Sequence, residues 1–188
     1  MAEAHYRVQV ERDHLKKLAT AKPIQALSEL IWNALDADAT RVDVEIESDD
    51  IAMKSVTVKD NGHGIAHGEV EALFGQLGGS WKRGGRTSKG KGRILHGKEG
   101  KGRLQALALG RSAVWTVRYR DGKKLLGYRI SLLKDDLVDV RVTNPEEVEA
   151  ALGPGVEVKV SELDRTYRSL EPTKSVQSLS EVFALYLT

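Results

Sequence analysis

The sequence predicts an α+β fold, a two-layer α/β sandwich in which helices cover one face of a mixed, mostly antiparallel sheet. Three observations carry that expectation. Short segments such as RVDVEIES and KSVTVK alternate apolar and polar residues, as half-buried strands do. Other segments, such as PIQALSELIWNALD and SLSEVFALYL, repeat apolar residues at helical spacing. Neighbouring strand candidates are joined by short turns, of which Asp121-Gly122 is the strongest hairpin signal.

The elements follow in order. HYRVQV alternates as a first strand, and DHLKKLATA reads as a helix capped by Asp13. Pro23 suits the first turn of a second helix, which runs to about Asp36. Strands from Val42 to Ile46 and from Val56 to Val58, separated by a short acidic turn, form a hairpin, and a short helix is expected from Glu69 to Phe74. From 75 to 102 glycine recurs at Gly75, Gly78, Gly79, Gly84, Gly85, Gly90, Gly92, Gly97, Gly100 and Gly102, which is too frequent for regular structure and predicts a long mobile loop. RLQALALG resumes helical spacing, SAVWTVRYRDGKKLLGYRISL gives two strands, and further strands are expected from Val138 to Val142 and Val156 to Val160. SLSEVFALYL closes the chain as an apolar helix.

With 188 residues and 40% hydrophobic composition, the chain can bury one sizeable core, so residues 1 to 188 are expected to form a single domain. There are 29 Lys and Arg against 27 acids, a net charge of +2, which excludes a chain built throughout for nucleic acid or an anionic membrane. The absence of cysteine excludes a disulfide framework and a thiolate metal site, and fits the cytoplasm. No signal-like segment is seen, and no run approaches the roughly 18 apolar residues of a spanning helix. The last helix stops at Leu187 and Thr188 without a polar cap, which reads as the N-terminal domain of a longer protein.

Three motifs carry candidate chemistry. On a helix turning about 100° per residue, Glu29, Asn33 and Asp36 lie within about 60° of one another, with Leu27, Leu30, Ile31, Ala34 and Leu35 expected opposite. On an isolated helix such a stripe reads as a solvated face. It would also suit an amide that ligates magnesium on a phosphate, with a carboxylate one turn earlier to deprotonate water. DNGHGI, Asp60 to Ile65, follows a strand directly. It reads as a tight turn, or as an acceptor for an exocyclic amino group with Gly62 and Gly64 admitting a flat ring. The segment from Lys82 to Arg103 is strongly basic, suiting either nonspecific nucleic-acid contact or, in GKEGKGR before a helix, a phosphate cradle. No Gly-Lys-Ser or Gly-Lys-Thr follows at P-loop spacing.

Glu29-x-x-x-Asn33-x-x-Asp36-Ala37, Asp60-x-Gly62-x-Gly64 and a glycine-rich loop ending in GKEGKGR, in that order, resemble the GHKL ATPase superfamily with its Bergerat fold. That superfamily comprises gyrase-type topoisomerases, ninety-kilodalton heat-shock chaperones, histidine kinases and MutL mismatch-repair proteins. ALDADATRVDVEIE looks most like the MutL and MORC-like branch. The resemblance implies ATP and magnesium as cofactors, Glu29 as general base, Asn33 as metal ligand and Asp60 as the adenine acceptor. It also implies an adenine pocket shaped by Gly62, Gly64 and Ile65, support from Asp36, and a lid and phosphate cradle formed by Gly97, Lys98, Gly100, Lys101, Gly102 and Arg103.

The family's later Gly-Thr motif stands here as Gly153-Pro154-Gly155-Val156, without the threonine. The implied function is that of a slow ATPase acting as a conformational switch, with an ATP-dependent homodimer and DNA or a protein client engaged through other domains. The alternatives are a histidine-kinase-like phosphotransferase, from which Glu29 argues away, and a nucleic-acid-binding module using residues 82 to 103.

In this family a downstream domain supplies a cation to the γ-phosphate, and such a group commonly contributes 10²-fold or more. Residues 1 to 188 alone are therefore expected to bind ATP with weak or undetectable turnover. Brisk, glutamate-dependent hydrolysis by this fragment in a phosphate-release assay would contradict that expectation.

Overall fold

A computed structural model describes residues 3–7, 21–75, 87–88, 90–93, 95–96, 102–184 and 186. Its framework is one eight-stranded sheet made of β1 (Glu3–Arg7), β2 (Val42–Ser48), β3 (Met53–Asp60), β4 (Gly110–Asp121), β5 (Lys124–Leu133), β6 (Asp136–Thr143), β7 (Glu146–Glu147) and β8 (Gly155–Leu163). The order across the sheet is β1-β6-β5-β4-β8-β3-β2, with the two-residue β7 added to β5. Every pairing among the described residues is antiparallel.

The alternation of the sequence decides which side of the sheet is covered. Val56 and Val58 on β3, Trp115 and Val117 on β4, Tyr128 and Ile130 on β5, and Val158 and Val160 on β8 are buried and face one layer of helices. Between them along the strands, Lys59, Arg129 and Lys159 are exposed on the other face. The register places Trp115 opposite both Ile130 and Val158, so the middle of the sheet stacks large side chains in rows beneath the helices.

The helical layer consists of α1 (Pro23–Asp36), the short α2 (Gly102–Gln105) running into a 3₁₀ turn at Ala106–Ala108, and α3 (Pro172–Phe183). From α1 come Ala26, Leu27 and Leu30; from α2 and its 3₁₀ extension come Leu104 and Leu107. Pro23 sits at the start of α1, where its missing N–H costs nothing. The hairpin turn between β4 and β5 has Gly122 at φ 58°, as its Asp-Gly composition requires. In the β2–β3 turn, Asp49 Oδ1 accepts the N–H groups of Ile51 at 2.9 Å and Ala52 at 2.8 Å.

Three expectations are corrected. The segment expected as a helix from Glu69 to Phe74 is a 3₁₀ turn at His67–Glu69 followed by a wide π turn at Glu71–Gly75, whose winding buries Val70 and Phe74 together. RLQALALG is a single α turn tightening to 3₁₀, because the chain enters β4 at Gly110 and Tyr167 Oη donates to the Leu109 carbonyl at 2.9 Å. The final helix begins at Pro172, earlier than expected, and ends at Phe183; among its described residues only Ser175 and Phe183 are buried. The expected helix DHLKKLATA lies outside the described residues. No helix among them is long and apolar enough to cross a membrane.

Ile130 is wholly buried in the middle of the sheet, whereas Leu152 is mostly exposed. Ile130→Ala is expected to cost about 2–5 kcal/mol and Leu152→Ala no more than about 0.5 kcal/mol, read from urea unfolding midpoints.

Candidate functional site

The C-terminal half of α1 and the end of β3 meet at a cavity of about 390 Å³. Asn33, Asp36 and Asp60 reach it from the polar side, while Ile65, Leu73 and Trp115 form part of its apolar wall. The helix stripe contributes differently from its helical-wheel reading. Leu30 and Ala34, placed opposite the stripe by sequence, line the cavity beside Asn33, so the opening sits at the border between the polar stripe and the core face. Glu29 stands one turn before Asn33, half-buried and outside this lining.

Asp60 is the last residue of β3 and is only 9% exposed. Its Oδ1 accepts the N–H of Gly62 at 2.8 Å and of Val156 at 3.3 Å. Its Oδ2 takes no hydrogen bond from the described residues, which leaves a strong acceptor on the wall of an apolar slot. Burial pushes the Asp60 carboxyl above the ordinary range, and the two amides, His63 and Arg118 offset this only in part. The Gly153-Pro154-Gly155-Val156 segment, which lacks the expected threonine, thus contributes a backbone donor from Val156, and its Gly153 carbonyl accepts from Arg118 Nε at 3.0 Å.

The turn after Asp60 is fixed by backbone contacts. Asn61 Oδ1 accepts the N–H groups of Thr40 at 2.8 Å and Arg41 at 2.9 Å, tying the end of β3 to the start of β2. His63 N–H donates to the Ala37 carbonyl at 2.9 Å, and a Cβ on Gly62 would stand 2.6 Å from that same oxygen. Gly64 has φ 73°, and a Cβ there would lie 2.0 Å from the Arg118 carbonyl oxygen. Both glycines are therefore required by close backbone approach. The Ile65 carbonyl accepts from Tyr128 Oη at 2.9 Å.

Asp36 is buried, and its Oδ1 accepts the His96 N–H at 2.9 Å. The imidazole of His96 stacks on Trp32 with ring centroids 4.1 Å apart, and Phe183 and Tyr186 pack around the same indole. Just past the helix, Asp38 at φ 62° accepts from Ser88 Oγ, from the Gly90 N–H at 2.7 Å and from the Lys91 N–H at 3.0 Å. Arg93 Nη1 donates to the Ala39 carbonyl at 2.8 Å.

Asn33, Asp36, Asp60, Gly64 and Ile65 are thus brought to one cavity, with Gly62 packed beneath it. Gly97, Lys98, Gly100 and Lys101 lie outside the described residues, and Gly102 and Arg103 form the first turn of α2. Sequence reasoning missed Trp32, Asp38 and Arg118, and placed His63, Ser88, Arg93 and Val156 within motifs without giving any of them a role of its own. The one local signal was Asp38 itself, a residue type that tolerates positive φ just after a helix end.

Because the Asp60 carboxyl is raised on folding, its folded state favours the protonated form. Its contribution to stability is therefore greatest below the unfolded carboxyl range near 4 and is lost as pH rises through the higher folded value. Asp60→Asn removes that loss, so its melting midpoint is expected to exceed the wild type's at neutral pH, the gap closing as pH falls toward about 4. Gly64→Ala, in contrast, is expected to cost at least about 2 kcal/mol, seen as an earlier urea midpoint.

Residues 21–151, well over half of the chain, match the family model described as histidine kinase-, DNA gyrase B-, and HSP90-like ATPase. The chain is 47% identical over 53 residues to the DNA mismatch repair protein MutL of Exiguobacterium sibiricum, covering 28% of this chain and 8% of that protein. It is 46% identical over 50 residues to MutL and to the mismatch repair protein HexB of Streptococcus pneumoniae, covering 27% of this chain and 7% of each. The aligned stretch is thus under a tenth of the length of the relatives it matches. With this match and the antiparallel sheet beneath its helical layer, the chain belongs to the histidine kinase-, DNA gyrase B- and HSP90-like ATPase family, on its MutL-like side.

Proposed function

We propose that the domain binds ATP with magnesium, hydrolyses it slowly, and acts as a nucleotide-driven conformational and dimerisation switch of a larger protein. The observation that carries this reading is Oδ2 of buried Asp60, which takes no hydrogen bond from the described residues and is an acceptor for the exocyclic amino group of adenine on the wall of an apolar slot. The 390 Å³ cavity has room for the purine, and Gly62 and Gly64 keep the backbone of the turn close to it.

The donor set also fits the metal. No cluster of three or more His, Asp or Glu side chains able to hold an ion exists among the described residues, and Asn33 offers a single amide oxygen at the cavity. Such a sparse set suits magnesium, which keeps waters and takes its other ligands from phosphates. A magnesium ion held there by Asn33 would supply neutralisation of charge on the phosphate oxygens.

In this reading Asn33 orients the ion, and Glu29, one turn earlier on the same helix, holds the proton taken from the attacking water. Asp36 supports the polar wall, and the stretch from Gly97 to Arg103 is assigned the phosphates on the family resemblance. The MutL and HexB relatives carry the name of mismatch repair. A DNA-linked client of the larger protein is therefore part of the proposal, reached through regions beyond this domain.

In the full-length protein, Glu29→Ala is expected to lower turnover by 10² or more while changing ATP affinity by no more than about threefold, measured by phosphate release and calorimetry. Asn33→Ala should remove the magnesium-dependent gain in ATP affinity and leave adenosine binding unchanged. Full turnover in Glu29→Ala would overturn the catalytic assignment.

A further inference from the structure

The residues around Asp38 break two local rules at once. A non-glycine residue sits at φ 62°, where glycine would be easier, and a carboxylate sits at the C-terminal end of α1, where the helix dipole disfavours negative charge. Violations of this kind are expected where a residue serves something other than local stability.

What Asp38 serves is a segment 50 to 53 residues away in sequence. Its Oδ1 accepts from the buried Ser88 hydroxyl and the Lys91 N–H, and its Oδ2 from the Gly90 N–H. Burial raises the Asp38 carboxyl, but the Ser88 hydroxyl and the Gly90 and Lys91 amides outweigh it, and the net result lies below the ordinary range. Ser88 and Arg93 close the turn on itself: Ser88 N–H donates to the Arg93 carbonyl at 2.8 Å, and Arg93 N–H donates to Ser88 Oγ at 2.9 Å. Arg93 Nη1 then caps the Ala39 carbonyl just past the helix. Three residues later the His96 N–H meets Asp36, a residue that also lines the cavity.

We propose that Asp38 is a positioning residue of the nucleotide site: its carboxylate clasps Ser88, Gly90 and Lys91 onto the end of α1, so that His96 meets the cavity-lining Asp36 in a fixed conformation before nucleotide binds. This rests on the nucleotide-binding reading above. Pre-ordering this segment removes an entropy cost from the binding step, and the part of the ligand that benefits is the triphosphate rather than the base, which the proposed function assigns to Asp60.

Asp38→Gly tests the clasp with the backbone kept in place, because glycine adopts φ 62° without strain while the carboxylate is removed with its one methylene. Expected are a modestly lower melting midpoint at neutral pH, because the carboxylate is held ionised by its partners, faster amide exchange at Gly90, Lys91 and Arg93, and affinity for a non-hydrolysable ATP analogue with magnesium reduced by about 10-fold with adenosine affinity unchanged. Ser88→Ala should show the same pattern more weakly. Unchanged exchange would overturn the clasp, and faster exchange with an unchanged ratio of analogue to adenosine affinity would overturn its role at the site. If the wild-type chain binds neither adenosine nor the analogue, the nucleotide reading and the positioning role fall together, while the exchange data still decide whether the clasp exists.

Discussion

A carboxylate largely withdrawn from water carries a free-energy cost unless it is paired, and Asp60, 9% exposed, takes hydrogen bonds from the described residues on Oδ1 alone. The surrounding structure follows from keeping that group where it is. Asn61 ties the end of β3 to the start of β2, Gly62 and Gly64 let the next turn pass within contact of α1 and β4, and β8 supplies the Val156 amide. Each arrangement holds Oδ1 in place, and none of the described residues donates to Oδ2. A carboxyl raised by burial at a cavity wall is the pattern expected where stability is given up for recognition.

The C-terminal end of α1 is the second point of convergence. Asn33 and Asp36 face the cavity from its last turn, Ala37 accepts from His63, and Asp38 and Ala39 take bonds from residues 88 to 93. One helix end therefore sets the relative positions of the Asn33 amide, the Asp60–Ile65 turn and the described part of the glycine-rich segment. The stack of His96 on Trp32, with Phe183 of α3 against the same ring, joins that segment to the last helix as well. Displacing any one of these contacts shifts the others, because all of them share a few residues of backbone.

The sheet was legible because its alternation has period two and its turn chemistry is explicit: Asp121-Gly122 marks one hairpin, and the strands around Val56 and Val158 read directly as half-buried. The strands are longer than their apolar cores, since ladder hydrogen bonds continue past the last inward side chain, as at Met53 and Leu163. The π turn at Glu71–Gly75 left no periodic signal to find. The candidate site was legible where its residues are close in sequence, in Asn33 with Asp36 and in Asp60 to Ile65. Asp38 was not, because its partners lie 50 to 53 residues away and a lone aspartate after a helix reads as an ordinary turn. Val156 contributes through its backbone, which no side-chain pattern encodes.

Under the proposed function, Oδ2 of Asp60 accepts the amino group of adenine. Calorimetric titration of the chain with ATP and with the 6-deamino analogue, purine riboside triphosphate, tests it most directly. Loss of a hydrogen bond to a buried charged acceptor predicts binding weaker by roughly 10- to 100-fold for the analogue, with the difference abolished in Asp60→Asn. Equal affinity of the wild-type chain for the two nucleotides would contradict it.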